Sequence, residues 1–212
     1  MGNINYEYTS LFIEDLLNDT DFVDLRKYAI ENDVPIMNSQ TKELIISILQ
    51  IAKPKKILEI GTAIGYSSLC FKKYTGADIT TIELDTATAE IARNNFKKYN
   101  VNVNLINDDA MKALRTIDQG FDFVFIDANK SRYLDYFKIT SKLLNKGGII
   151  IADNVLFRGE VCNDDIMEKR KNTLVKRLRN FLAYITDLEE FTTSVIPIGD
   201  GLTLSVRRDN DR

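Results

Sequence analysis

A chain of 212 residues with a hydrophobic fraction of 44% and a charged fraction of 28% suits one soluble α/β domain, and no apolar run approaches the length of a bilayer span. It contains no histidine, so a general base has to be Lys, Asp, Glu, Tyr or Cys, and any metal site does without imidazole. A net charge of −3 argues against broad, non-specific nucleic-acid binding but leaves room for a local basic patch.

Two cysteines make no disulfide framework, and Cys70 sits in an apolar helical pattern, where packing is the expected role. The start Met1-Gly-Asn-Ile-Asn-Tyr-Glu lacks the basic flank of a signal peptide. Tyr6 stands where a myristoylation motif needs Ser or Thr. The expectation is a cytoplasmic protein of one domain, residues 1–212, with helices of residues 1–52 packed on its core.

In chain order, Leu11, Ile13, Leu16 and Leu17, then Phe22, Leu25, Tyr28 and Ala29, fall at helical spacing and predict helices over Asn3–Leu17 and Phe22–Glu31. Pro35 disfavours helix at Val34, so Val34–Met37 reads as an extended link. Ser39 is the expected cap of a third helix, Thr41–Ile51. From Lys56 the pattern alternates. Strands are predicted at Lys56–Ile60, Asp78–Glu83, Asn102–Ile106, Phe121–Ile126 and Gly148–Ala152. Helices are predicted at Tyr66–Tyr74, Thr86–Tyr99, Ala110–Ile117 and Arg132–Leu144, the last closed by Gly147-Gly148. Strands separated by helix-length segments imply a parallel sheet with helices on both faces. A long helix, about Glu168–Thr186, precedes Phe191–Pro197 and Leu202–Arg207, which flank Ile198-Gly-Asp-Gly201 as an antiparallel hairpin.

The stretch from Lys55 to Ser68 runs strand, glycine turn, helix. Gly61 lets the backbone approach a ligand, and the helix that follows presents free N–H groups. Ala63 stands where the dinucleotide fingerprint needs a glycine. The pattern present is instead Glu59-x-Gly61-x-x-x-Gly65, followed by Glu83 at the end of the next strand, about where a ribose-binding carboxylate belongs. This resembles the class I methyltransferases, which hold S-adenosylmethionine and end a mostly parallel seven-stranded, Rossmann-like sheet in an antiparallel hairpin.

Ligands of open α/β sheets bind beyond the carboxyl ends of the strands. There the fourth strand delivers Asp127-Ala-Asn-Lys130 and the fifth Asp153-Asn154. Two carboxylates and a carboxamide are hard oxygen donors that suit Mg²⁺ or Ca²⁺ rather than zinc. Each acid taken singly is read as a helix cap; together with Asn154 and Lys130 they point to a metal site. Lys130 opposes the helix dipole, so propensity gives no reason for it, and a nearby dication would favour its neutral, basic form.

These pieces resemble the cation-dependent O-methyltransferases, the family of the catechol and caffeoyl-coenzyme A enzymes. The matching segments are Leu-Glu-Ile-Gly-Thr-Ala-Ile-Gly-Tyr-Ser from Leu58, Phe-Ile-Asp-Ala-Asn-Lys from Phe125, Asp-Asn-Val-Leu from Asp153 and Gly-Asp-Gly-Leu from Gly199. The resemblance implies Asp127, Asp153 and Asn154 as metal ligands and Lys130 as base. It implies a cofactor site of Met37, Glu59, Gly61, Tyr66, Ser67, Glu83, Asp109, Ala110 and Asp127, in which Ser67 holds the methionine carboxylate and Asp109 and Ala110 meet the adenine. Asp108 departs from the glycine that relatives often carry before the Asp109 position, and Asn129 varies among them. Relatives form homodimers, so a homodimer is expected.

Within the family, Val34-Pro-Ile-Met37, the Gly-Thr-Ala-Ile-Gly loop, Asp153-Asn-Val-Leu-Phe-Arg-Gly and Ile196-Pro-Ile-Gly-Asp-Gly-Leu resemble the bacterial tRNA 5-hydroxyuridine methyltransferases. That resemblance implies methylation of the 5-hydroxyl at the wobble position, with the tRNA anticodon region as partner; a small catechol-like or caffeoyl-type phenol is the alternative acceptor. Lys169, Arg170, Lys171, Lys176, Arg177 and Arg179, with Arg158, are candidate RNA contacts, set against the plainer reading of a solvated helix face.

Overall fold

The computed structural model describes residues 6–164 and 172–209. They form two compact units, one of Leu11–Ile117 and the other of the residues from Asp118 on together with those up to Ser10. The strands form a seven-stranded sheet of order β3-β2-β1-β4-β5-β7-β6, in which β1 is Lys56–Ile60, β2 Asp78–Glu83, β3 Asn104–Asn107, β4 Phe121–Ile126, β5 Leu144–Asp153, β6 Phe191–Ile196 and β7 Leu202–Arg207. This is a mostly parallel sheet ending in an antiparallel hairpin, with helices packed around it, as the resemblance implies.

The Leu11–Ile117 unit carries most of α1 (Glu7–Leu17), then α2 (Val23–Glu31), α3 (Ser39–Ala52), α4 (Tyr66–Thr75), α5 (Thr86–Lys98) and α6 (Ala110–Thr116). β1 pairs in parallel with β2, and β2 with β3. Ile57, Leu58 and Ile60 are fully buried, as a central parallel strand requires. β3 is a half-exposed edge that begins at Asn104 rather than Asn102, since asparagines such as those at 100 and 102 are poor strand formers. The cap of α3 is Asn38, whose side chain accepts from Thr41 N at 2.8 Å, not Ser39. Cys70 is buried and its thiol is pushed up to about 12 by that burial, which makes it inert packing.

Lys42 is the unusual core residue of this unit. Its side chain is 1% exposed, and its ammonium meets Asp19, Asp21 at 2.8 Å and Glu43 at 3.0 Å. Asp19 also pairs with Arg26 at 2.6 Å, and Asp21 takes Lys73 and the Tyr74 hydroxyl. Asp19, Asp21 and Glu43 come close enough together to hold a metal, but the Lys42 ammonium already supplies their cation.

In the other unit β4 and β5 are parallel, while β7 runs antiparallel to both β5 and β6. α7 (Tyr133–Leu143) stops before the Gly147-Gly148 pair expected to end it. The glycines lie instead inside a longer β5, where the register against β4 breaks between Phe121 and Phe123. Gly147 has φ 67°, and a Cβ on Gly148 would come within 2.7 Å of the Leu144 side chain. α8 (Asn172–Asp187) buries Val175, Leu178, Phe181 and Ile185 at helical spacing. The Phe181 ring meets Tyr133 and Phe137 edge-on, with centroids 5.7 and 6.1 Å away. Such pairs add about 1 kcal/mol each beyond the area they bury. Among the described residues no helix is long and apolar enough to cross a membrane.

Candidate active site

The glycine turn after β1 is built for close approach. Gly61 has φ 100° and Gly65 φ 86°, and Ala63 between them is also left-handed at φ 46°. Gly65 N closes the turn onto Thr62 O at 2.9 Å, and Gly61 N bonds Ile82 O of β2 at 3.0 Å. A Cβ on Gly65 would sit 2.6 Å from the Phe96 ring, so both conformation and space demand glycine. Gly65 caps α4 with no side-chain acceptor, which leaves the first-turn N–H groups of the helix for a ligand.

Glu83, at the carboxyl end of β2, reaches back to this turn. One oxygen accepts Ala63 N at 2.9 Å and the other Asp85 N at 3.0 Å. A carboxylate offers about four acceptor positions, so two remain for a diol. Glu59 is fully buried and engaged: it accepts from the Ser67 and Ser68 hydroxyls and from Thr81 Oγ1 at 2.7 Å. Its place is to orient Ser67 and the start of α4. Tyr66 is likewise buried, with its hydroxyl 3.4 Å from Asp19 Oδ2, and that burial raises its pKa. Met37 is buried. Asp109 caps α6, accepting Lys112 N at 3.2 Å, and its own N–H donates to Asp108 Oδ1 at 2.7 Å; Ala110 is the first residue of that helix.

The second cluster lies at the tips of β4 and β5, where the parallel register pairs Ile126 with Ala152 and so delivers Asp127 and Asp153 side by side. Asp127 is not a helix cap: Asn129 takes that role, its side chain accepting Ser131 N at 3.1 Å ahead of a short 3₁₀ turn, Lys130–Arg132. Among the described residues the Asp127 carboxylate accepts no hydrogen bond. Asp153 is 4% exposed, and its Oδ1 accepts only Asn154 N, at 2.6 Å. Tyr133 donates to the backbone O of Asp153 at 2.9 Å, fixing the strand end without using the carboxylate. Lys130 Nζ donates to Asn154 Oδ1 at 3.2 Å.

Burial raises the pKa of both acids, and the charge of Asp127 adds to the effect on Asp153, which is pushed up to about 8. Two desolvated carboxylates with spare lone pairs, beside a carboxamide oxygen and a single ammonium, lack positive charge. A hard dication held by Asp127, Asp153 and Asn154 fits that deficit.

A family model described as O-methyltransferase matches residues 14–208. The chain belongs to the O-methyltransferase family. It is 30% identical over 196 residues to "Probable caffeoyl-CoA O-methyltransferase 3" of Dictyostelium discoideum, across 84% of this chain and 78% of that one. It is 32% identical over 201 residues to the flavonoid 3',5'-methyltransferase of Vitis vinifera, across 87% and 83%. Among solved structures, the SAH-bound methyltransferase PaMTH1 of Podospora anserina superposes with a TM-score of 0.86 at 29% identity, covering 99% of this chain and all of that one.

In this O-methyltransferase, Glu83, Ser67, Gly61, Asp109 and Ala110 sit in one unit at strand ends or helix starts. Asp127, Lys130, Asp153 and Asn154 converge in the other. Arg158 is exposed, and Lys169, Arg170 and Lys171 lie outside the described residues. Of the remaining basic residues, Lys176 and Arg177 are exposed on α8, whereas Arg179 is tied to Val161 O at 2.9 Å and to Asp164 at 2.7 Å. Sequence reasoning overlooked Asp200. It receives Arg158 N, and its raised pKa comes from burial, opposed by Lys130 and Arg158. The Gly199-Asp-Gly201 doublet was the available signal, since two glycines around an acid mark a turn that something must pack against.

Proposed function

We propose that this O-methyltransferase moves the methyl group of S-adenosylmethionine to the 5-hydroxyl of 5-hydroxyuridine at the tRNA wobble position, giving 5-methoxyuridine. The observation that carries the reading is the hard-oxygen cluster of Asp127, Asp153 and Asn154 with Lys130 bonded to it. Those three residues would hold Mg²⁺, which when bound lowers the acceptor hydroxyl's pKa and fixes two adjacent oxygens, as 5-hydroxyuridine and catechols both possess. Lys130 takes the hydroxyl proton at Nζ. Glu83 holds the ribose hydroxyls, Ser67 the methionine carboxylate, and Asp109 and Ala110 the adenine. Glu59 and Tyr66 act through the residues they hold. Arg158 supplies a phosphate contact, together with Lys169, Arg170 and Lys171. The enzyme works as a homodimer.

Nucleoside mass spectrometry of tRNA from a deletion strain tests this: 5-hydroxyuridine should accumulate at the expense of its methoxy form. Unchanged ratios reject the acceptor. A second reading, a small catechol-like or caffeoyl-type phenol, is favoured by the names of the relatives, and turnover of catechols with none on tRNA would establish it.

A further inference from the structure

The chain from Asn154 onward, just past Asp153 at the end of β5, has a backbone few side chains tolerate. Asn154 is left-handed at φ 57°, and Phe157, Arg158 and Gly159 follow in succession at φ 46°, 56° and 80°. Only the last is a glycine. Strained backbone of this kind persists where surrounding contacts over-determine it, and it concentrates at functional sites.

The contacts come from the β6–β7 turn. Val155 N bonds Gly201 O at 2.9 Å and Leu156 N bonds Asp200 O at 3.0 Å. The Asp200 side chain accepts Arg158 N, the amide at the centre of the left-handed run. Gly201, at φ 86°, lies so close to Leu156 that a Cβ there would collide with it. The turn and the loop thus fit as a pair, and the loop's fixed end is Asp153-Asn154. The groups facing the Asp200 carboxylate are Lys130, Arg158 and Glu160, so its surroundings belong to the same cluster.

We infer that Asp200 is a positioning residue: by accepting the Arg158 N–H it holds the left-handed turn 157–159 in shape and so keeps Asn154 and Asp153 set for the dication. The inference rests on the metal reading above. The carboxylate acts as a hydrogen-bond acceptor here. Its charge is incidental, so an amide oxygen at the same place should serve.

Direct binding of Mn²⁺, followed by EPR or calorimetry with no methyl donor or acceptor present, tests this. Asp200→Ala should weaken Mn²⁺ binding about tenfold while S-adenosylmethionine affinity stays within twofold of wild type. Asp200→Asn should stay near wild type, because its Oδ1 can accept the same N–H. Arg158→Gly in the Asp200→Ala background should restore most of the loss, since glycine adopts φ 56° without strain. If Asp200→Ala alone does not fold, the double variant compared with Arg158→Gly carries the test, and equal Mn²⁺ affinity is expected.

Unchanged Mn²⁺ affinity in Asp200→Ala overturns the inference alone. An Asp200→Asn variant as weak as the alanine one overturns it in favour of a charge effect. A tenfold loss persisting in the double variant also overturns it. Wild-type protein that takes up no Mn²⁺ removes the metal centre and this inference together.

Discussion

Lys130 and Asn154, 24 positions apart in sequence, share a hydrogen bond of 3.2 Å from the ammonium to the carboxamide oxygen. The bond uses the oxygen that a dication would also want, so ammonium and metal compete for Asn154. A dication held by Asp127, Asp153 and Asn154 would therefore free the Lys130 side chain from the carboxamide.

Lys130→Met should therefore bind Mg²⁺ at least as tightly as wild type, and S-adenosylmethionine equally, while kcat falls by roughly 10²–10⁴ as expected for loss of a general base. Lys130→Arg should be equally inactive, because a guanidinium does not deprotonate. Calorimetry for the two ligands and single-turnover methyl transfer separate binding from chemistry. A variant that keeps kcat would remove Lys130 from the mechanism.

The acids of this cluster give a pH signature. Asp127 and Asp153 have folded-state pKa values raised above the ordinary carboxylate range, so the metal-free fold binds their protons more tightly than the unfolded chain does. That contribution is complete below about pH 4 and is lost as pH rises through the folded value of about 8 for Asp153. Mg²⁺ held by these residues would take the place of the protons. The melting-temperature gain from Mg²⁺ should grow from pH 6 to pH 9, with protons released on binding. Asp153→Asn should raise metal-free stability at pH 8 and abolish the Mg²⁺-dependent gain. A gain that is flat with pH would contradict this.

How legible the molecule was follows from which contacts are local. The parallel strands announced themselves through apolar runs such as Phe121–Ile126, and the turn after β1 through Gly61 and Gly65. The placement of the candidate acids was legible because open sheets present ligands at strand exits, so Glu83, Asp127 and Asp153 at strand ends followed from finding the strands. What stayed hidden depends on pairing across distance. Nothing near Glu59 says that Ser67, Ser68 and Thr81 will enclose it. The start of β5 was misplaced because Gly147-Gly148 reads as a helix terminator, whereas the chain uses it for a register break. Asn38 and Ser39 are both good caps, and only the hydrogen bond to Thr41 N decides between them.

Glu59 should govern cofactor affinity without touching the acceptor. Removing its carboxylate leaves three buried or half-buried hydroxyls without their acceptor, at about 1–3 kcal/mol each before relaxation. Glu59→Ala should lower stability by a few kcal/mol and raise the S-adenosylmethionine Kd at least tenfold, while Mn²⁺ affinity stays within twofold. Ser67→Ala should weaken the cofactor without the stability loss. Denaturant melts and calorimetry on both variants check this; normal cofactor affinity in stable Glu59→Ala would show that the carboxylate only fills space.

Lys42 sets the acid limit of the Leu11–Ile117 unit. Its ammonium, buried among Asp19, Asp21 and Glu43, has a raised pKa that those carboxylates sustain against desolvation, while Asp21 is held down at about 2 by Lys42, Lys73 and Tyr74. A carboxylate with a depressed folded pKa stabilises the fold above its unfolded value of 3.8, and that stabilisation is lost as pH falls towards 2. Lys42→Met should cost about 3–5 kcal/mol at neutral pH, the usual penalty for stripping one partner from a buried ion cluster. Arg26 and Lys73 remain on Asp19 and Asp21, so the lower end of that range is expected. The gap between wild type and Lys42→Met should be constant from pH 5 to 7 and narrow from pH 4 downwards, as Asp21 takes up its proton. Urea melts between pH 3 and 7 decide it: a gap that holds constant to pH 3 would mean that Lys42 contributes packing alone.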